Sequence, residues 1–254
     1  MRRAASRLVF DLDDAIYRTP DKRSAGRQRG FAAMVCRADE VWAGNDTLRQ
    51  AALDIDRKKH VEVLPTALEP SPYTPRPIGK RDPRKLVWIG SSSTRPYLEA
   101  VMPDLEAAAE RVPGLSLRIV ADFTLESDRL AVEASPWSSE TEAEDLATAG
   151  IGLGPLTDTP WTRGKCGFKL LQYMAAGLPT ICDPVGANGQ IVVDGETGLH
   201  ISAQQNWADA IVMLCGDADK AQAMGRAGRE RLNEVYALDR VATRMVERLS
   251  DLVS

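Results

Sequence analysis

From residue 86 onward the 254-residue chain alternates short apolar runs with amphipathic stretches, and that alternation leaves few folds open. Runs at 86–89, 115–121, 130–134 and 151–153 read as strands, and 97–111 and 140–148 read as helices. A strand made of consecutive apolar residues is buried on both faces, as happens in a parallel sheet covered by helices. Strands that take turns with helices build right-handed crossover units, so the expected fold is α/β with a doubly wound parallel sheet.

The earlier part of the chain has the same character on a smaller scale. Strands are expected at 8–12, 40–43 and 61–64, with a helix ending over 30–37. Asn45 is a good N-cap for a helix to about residue 55, because Leu48, Ala51, Ala52 and Ile55 then share one face. Prolines at 65, 70, 72, 75, 77 and 83 follow, ending in a basic stretch at 80–85. Prolines at that density exclude both helix and central strand, so a domain boundary is expected there. Toward the C-terminus, Trp207, Ile211, Leu214 and Cys215 form one helical stripe, and Leu238, Val241, Met245, Leu249 and Leu252 another. Both are expected to face a core.

Composition removes several classes of function. A net charge of −4 gives no reason to expect nucleic acid as a partner. No apolar run approaches the roughly 18 residues of a membrane span, so no transmembrane segment is expected. The start, MRRAASRLVFDLDD, meets an aspartate too early for a secretory leader. Cys36, Cys166, Cys182 and Cys215 are widely spaced and the chain has two histidines. That pattern suits reduced, mostly buried thiols in a cytoplasmic protein and no metal site.

The stretch TRGKCGFKLLQYMAAGLPTICDPVGANGQIVVDGETGLHI, residues 162–201, says most about function. Gly164 and Gly167 punctuate a loop that opens an apolar helix at 168–176. Gly177 and Pro179 stop the helix, and a buried strand follows at 180–182. Unpaired backbone N–H groups and the helix dipole make a helix N-terminus attractive to anions. Lys165 and Lys169 add charge, which suits the loop to a phosphate. The same residues also suit an ordinary loop–helix–strand unit, since a glycine loop alone is weak evidence.

The order of these segments resembles the C-terminal half of a retaining GT-B glycosyltransferase of the "glycosyl transferases group 1" family (family 4). The family pattern is E-x7-E, a small-residue helix, G-x-P and a strand, a PVGxNxEIV-type loop and an xGxTGxxI-type turn. Here LLQYMAAGLPTICDPVGANGQIVVDGETGLHI has that order and spacing. RADEVWAGNDTLRQAA, VEVLPTALEPSPY, LVWIGSSSTRPYLEAV and ASPWSSETEAEDLATAGIGLGPLTDTPW fit the same family, so the likeness covers nearly the whole chain.

Two departures stand out. With Gln172 at the second glutamate position, the first falls on Gly164, so both carboxylates are missing. The family uses the second to hold ribose hydroxyls, which the Gln172 amide can also do, and the first to reach the sugar, which Gly164 cannot. After the strand ending at Gly90 the family often places an Arg and then a Lys on the diphosphate, whereas this chain has Ser91 and then Arg95.

The resemblance implies a Rossmann-like donor-binding domain at 86–235 and a C-terminal crossover helix at 236–254. It also implies a partial, acceptor-side α/β region at 1–68 and a Pro-rich linker at 69–85. Only about 65 residues precede the linker, short of the ~100–150 typical of a domain, so the chain reads as a truncated protein or a fragment. The implied reaction is metal-independent transfer of a sugar from a nucleoside-diphosphate sugar, of UDP or GDP type, to a hydroxyl acceptor, with retention. The acceptor class is saccharide, lipid-linked or another hydroxyl, as in polysaccharide biosynthesis, and no cofactor is implied. The implied location is the cytoplasm or the inner face of the membrane.

In that scheme Lys165, Lys169 and Arg95 clamp the diphosphate with the Gly167 and Phe168 amides, while Gly90 and Ser91 approach it closely. Gln172 holds the ribose, the base lies near 135–137 with Trp137 available to stack, and Asp158 and Thr159 contact sugar hydroxyls. A non-catalytic nucleotide-sugar-binding remnant is the alternative. A further rival is VFDLDDAIY, where Asp11 and Asp13 fit the D-x-D-x-T nucleophile motif of haloacid-dehalogenase-type phosphatases. Ala15 stands there in place of threonine. In group 1 transferases such a turn has the milder role of capping and cleft lining.

Overall fold

The computed structural model describes residues 6–20, 22, 24–75 and 81–253. Part of the proline-rich segment, 76–80, lies outside the described residues, as do 1–5, 21, 23 and 254.

The N-terminal unit runs β1 (Val9–Leu12), α1 (Ala25–Arg37), β2 (Glu40–Ala43), α2 (Asp46–Ile55) and β3 (His60–Val63). Its three strands are parallel in the order β1-β2-β3. Phe10 and Leu12 from β1, Phe31 and Val35 from α1, and Leu48 and Ala52 from α2 close a small core. Asn45 caps α2 as expected, its Oδ1 accepting from the Leu48 N–H at 3.0 Å.

The larger unit contains β4 (Lys85–Ile89), α3 (Arg95–Arg111), β5 (Ser116–Ala121), β6 (Ala131–Pro136), α4 (Glu142–Ala147), β7 (Ile151–Gly154), α5 (Phe168–Ala175) and β8 (Thr180–Cys182). It continues through α6 (Asn188–Ile191), β9 (Gly198–His200), α7 (Trp207–Gly216) and α8 (Ala218–Arg231). All six strands are parallel, ordered β6-β5-β4-β7-β8-β9. Counted within the sheet this is the doubly wound order 3-2-1-4-5-6, whose direction reverses between β4 and β7. The alternation along β4 explains the two covers. Leu86 and Trp88 join the core under α3 and α7, while Val87 and Ile89 join the opposite core with Leu170, Tyr173 and Met174 of α5. The fold is the α/β architecture that the sequence pattern demands.

Several details differ from the sequence reading. The strand expected at 130–134 is β6 (Ala131–Pro136), an edge strand with mostly exposed residues, where a terminal Pro136 is tolerated because its missing N–H leaves no central ladder bond unmade. The three-residue strand β9 and the four-residue helix α6 were hidden in what reads as loop and turn. Of the thiols, only Cys182 is buried; Cys36 is exposed, and Cys166 and Cys215 are half-buried, all four free. The stripe on α7 is buried at Trp207, Ile211 and Leu214. The last helix, α9 (Leu238–Val253), buries only Val241, and Leu238 and Leu249 are exposed. It is fixed instead by charge and backbone contacts to the N-terminal unit. Arg244 donates to Glu62 Oε1 at 3.0 Å and the Val63 carbonyl at 2.8 Å, Arg248 to the buried Glu40 at 2.9 Å, and Arg7 to the Leu252 carbonyl at 2.8 Å. The final helix thus crosses back onto the three-stranded sheet.

Candidate nucleotide-sugar site

Ligands of open α/β sheets bind beyond the carboxyl ends of the strands where the sheet order reverses. Here that point lies past Ile89 of β4 and Gly154 of β7, and a cavity of about 840 Å³ opens there, walled also by α5 and by Asp13, Asp14 and Thr66 of the N-terminal side. Of the expected residues, Gly90, Ser91, Trp137, Lys165, Gly167, Phe168, Lys169 and Gln172 line it.

The loop before α5 is built to stay in place. Thr162, buried, donates to the Thr157 carbonyl at 2.6 Å and accepts from the Thr159 N–H at 2.9 Å. From across the cleft, Asn45 Nδ2 donates to the Lys165 carbonyl at 3.1 Å, so the residue that caps α2 also holds this loop. Gly167 turns the chain into α5 at φ 67°, a left-handed conformation that glycine adopts without strain. The N-terminus of α5 therefore stands on the cavity wall.

Two lysines stand beside it. Lys165 Nζ lies 3.5 Å from Asp14 Oδ2 and over the Trp161 ring at 5.2 Å. Lys169 Nζ lies 4.3 Å from the centroid of Trp88, which is fully buried at the end of β4. Gly90 permits that arrangement, since a Cβ there would overlap the Trp88 ring. Burial, and then repulsion from Lys165, pushes the Lys169 ammonium down to about 7. The ring face of Trp88 attracts the cation, but desolvation outweighs it. An anion placed between the two lysines relieves their repulsion and restores the charge on Lys169.

One turn along α5, the buried Gln172 faces the same cavity. Its amide is near enough to the Tyr73 hydroxyl to oppose the rise that burial and Glu142 impose on that phenol. Tyr73 also donates to Glu142 Oε1, and Trp137 Nε1 donates to Glu142 Oε2 at 2.6 Å. Burial, then the Glu142 carboxylate, pushes the Tyr73 phenol far above its ordinary range. Trp137 itself is 54% exposed, a rim residue held by Glu142.

Four expected residues are not brought into this cavity. Arg95 sits at the start of α3, bonded through Nε to Glu99 Oε1 at 2.7 Å with its guanidinium over Phe123 at 5.3 Å. Asp158 pairs with Arg163 at 2.6 and 2.8 Å and lines a smaller neighbouring cavity. Gly164 is buried against the N-terminal unit, where an added Cβ would lie 2.6 Å from that of Ala15. That contact accounts for one oddity of the sequence: a glutamate at 164 has no room. Thr159 is engaged within its own loop.

The sequence reading missed Glu142, Tyr73, Trp88 and Asp122. Glu142 lies in an acidic run that looks like an ordinary first helical turn, and Tyr73 is hidden among prolines. Asp122, on the cavity wall, accepts from the Ser92 N–H and hydroxyl at 2.8 and 2.7 Å and fixes the turn after β4. Asp11 lies in a different cavity with Asp13, Trp42 and Met245, and burial, then Asp13, pushes its carboxyl up. Among the described residues no three His, Cys, Asp or Glu side chains converge as a metal site.

Residues 76–217, more than half the chain, match the family model described as "Glycosyl transferases group 1". The chain belongs to that family. A GDP-mannose-dependent α-(1-6)-phosphatidylinositol monomannoside mannosyltransferase of Mycobacterium tuberculosis is 29% identical over 211 residues, which is 74% of this chain and 55% of that protein. An α-maltose-1-phosphate synthase of Mycolicibacterium smegmatis is 32% identical over 112 residues, 41% of this chain and 28% of its own length. At its fullest match among these relatives, the group 1 chain thus spans about half of the other protein. Among solved structures, sucrose-phosphate synthase from Thermosynechococcus elongatus superposes with a TM-score of 0.77 at 20% identity, over 96% of this chain and 67% of that one. HepE of Anabaena in complex with UDP and glucose does so with 0.73 at 15% identity, over 97% and 72%. These likenesses establish the GT-B-type fold of the group 1 chain. No helix among the described residues is long and apolar enough to cross a membrane.

Proposed function

We propose that this group 1 protein moves a sugar from a nucleoside-diphosphate sugar to a hydroxyl acceptor, with retention at the anomeric carbon. The observation that carries the reading is the set of groups gathered on one cavity. Lys165 and Lys169 stand at the start of α5, Gln172 follows one turn later, and Trp137 lies on the rim. A nucleoside diphosphate offers chemistry to match: anion, ribose, flat base. Expelling the diphosphate while positive charge grows on the sugar ring is the hard step. The two ammonium groups and the Gly167 and Phe168 amides neutralise the leaving group without calling for a metal. Gly90 and Ser91 let the backbone approach the phosphates, Gln172 holds the ribose and Trp137 stacks on the base. Arg95 and Asp158, turned away here, have no part in this scheme.

Asp13 and Asp14 face the phosphate end from the acceptor side. An acceptor hydroxyl entering between the two units meets these carboxylates first, and a saccharide or lipid-linked alcohol offers the hydroxyls that they accept from. The setting that fits is polysaccharide biosynthesis in the cytoplasm, at the inner face of the membrane when the acceptor is lipid-linked. UDP and GDP remain the two donor types. The mannosyltransferase relative is named as GDP-mannose-dependent and HepE was solved with UDP.

One observation favours a second reading, a nucleotide-sugar binder that does not transfer. Gly164 is sealed against Ala15, so nothing at that position reaches the sugar. Release of free UDP or GDP from UDP- and GDP-sugars, followed with and without a panel of glycoside and polyprenyl acceptors, separates the two. Acceptor-dependent release is expected. Tight donor binding with no release under any acceptor supports the binder instead.

A further inference from the structure

The group 1 pattern puts a carboxylate on the ribose, and at that position this chain has the amide of Gln172. A carboxylate is nevertheless present at the same place in the cavity, contributed by a different element. Glu142, in the first turn of α4, lines the cavity beside Gln172. The Tyr73 hydroxyl donates to Glu142 and is also near enough to Gln172 to feel its amide, so the carboxylate and the amide share one neighbour. We propose that Glu142 is the ribose-binding carboxylate of this site, holding the 2′- and 3′-hydroxyls of the donor nucleotide in place of the missing glutamate. The inference rests on the nucleotide-sugar reading above.

The arrangement has what a diol receptor needs. A bound cis-diol presents two O–H donors, and an ionised carboxylate is an acceptor with two oxygens and about four lone-pair sites. Tyr73 and Trp137 occupy one site on each oxygen of Glu142, so each oxygen retains acceptor capacity. Those two donors also fix the carboxylate. The Trp137 ring anchors it from the rim, and Tyr73 anchors it from the linker. Tyr73 is itself held: its backbone carbonyl accepts from Arg229 Nη1 at 3.2 Å, and Arg229 Nη2 reaches the Pro70 carbonyl at 3.1 Å. A side chain held in this way loses little freedom when the ligand arrives, and charge-assisted hydrogen bonds are about twice as strong as neutral ones. Placement agrees as well. Lys169 and Gln172 are three residues apart and share one face of α5, and Glu142 lines the same cavity. Bonded to Tyr73 and Trp137, its carboxylate is placed to meet the sugar of the nucleoside.

The test is titration calorimetry on the full chain with UDP, GDP and their 2′,3′-dideoxy counterparts, using wild type, Glu142→Gln and Tyr73→Phe. Each hydrogen bond to a charged group is worth enough that Glu142→Gln should weaken UDP and GDP alike by about tenfold or more. The dideoxy ligands should bind wild type weakly and be blind to the substitution. Tyr73→Phe keeps the carboxylate but frees it, and should give a smaller loss of about threefold that again disappears with the dideoxy ligands. Equal losses for ribose and dideoxy ligands overturn the assignment, as does no loss at all. Loss confined to GDP overturns it too, because a carboxylate reading guanine N–H groups would act in that way. If wild type binds no nucleotide, the nucleotide-sugar reading falls and this one with it. If wild type binds and Glu142→Gln binds equally, only this one falls.

Discussion

The two parallel sheets of this chain are built by one rule and stabilised in two ways. The six-stranded sheet is covered on both faces, and its helices approach closely enough that several contacts admit no side chain. At Gly225 of α8 an added Cβ would overlap the Gly177 carbonyl oxygen. The three-stranded sheet has a small core, and the helix that crosses back to it buries one apolar residue and relies on Arg244 and Arg248. The difference separates two tasks. The large unit supplies the proposed binding groups Lys165, Lys169, Gln172 and Glu142 from a packed scaffold. The small unit supplies restraint, through Asn45 on the Lys165 carbonyl, Ala15 on Gly164 and Asp14 on Lys165.

The largest effect should come from breaking the packed scaffold. Gly225→Ala forces backbone apart where α8 meets the turn after α5, and should cost more than about 3 kcal/mol in chemical denaturation. A cost near zero would mean that the tight packing of the large unit is not what stabilises it.

Next in size is the seam between the units. Gly164→Glu restores the family glutamate, yet its Cβ would lie 2.6 Å from that of Ala15. It should destabilise by about 2 kcal/mol and lower rather than raise turnover, and pairing it with Ala15→Gly should recover part of the stability. A gain in activity from the single substitution would show that this seam can open.

The charge arrangement gives a pH dependence. Lys169 titrates at about 7 in the free protein, and a bound diphosphate favours its protonated form. Binding of a UDP-sugar, whose phosphates do not titrate near neutrality, should therefore take up a proton at pH 7.5. Affinity should be full below pH 7 and fall by up to about tenfold per unit above it. Calorimetry in buffers of different ionisation enthalpy reads the proton directly, and Lys169→Arg should remove the slope. For stability the sign is opposite: the folded-state value is depressed, so between about 7 and the ordinary lysine range of ~10.4 the unfolded chain binds more protons, and this group makes folding more favourable as pH rises.

The smallest effect belongs to the loosely packed unit. A Cβ at Gly30, in the middle of α1, meets nothing within 4 Å. Gly30→Ala should stabilise by about 0.5–1 kcal/mol through helix propensity alone, visible as a small rise in melting temperature.

How much of this was legible in the sequence follows the same division. The central strands of the larger sheet announce themselves because strands buried on both faces must be apolar throughout, whereas the edge strand β9 does not, and Asn45 is readable as a cap because capping is local chemistry. The lysines and Gln172 lie in one ordered stretch, so their shared cavity was legible too. The placement of Arg95 was not legible, because a spacing along the chain does not say which face of α3 it takes; Glu99 and Phe123 decide that. The pairing of Asp158 with Arg163 is likewise a contact that spacing does not encode. Glu142 and Tyr73 are 69 positions apart and meet through a hydroxyl–carboxylate bond that no periodicity encodes. The stripe on α9 has the pattern of a buried helix, but only Val241 is buried, Met245 and Leu252 are half-buried, and Leu238 and Leu249 stay exposed.

The central claim is that Lys165 and Lys169 make the end of α5 a diphosphate site. Titration calorimetry of UDP and GDP against the wild-type chain and the Lys165→Ala, Lys169→Ala double variant tests it most directly. The account predicts binding of at least one nucleotide by the wild type and a loss of about a hundredfold or more in the variant, two charge-assisted contacts being removed. Equal binding by both proteins, or none by the wild type, would contradict it.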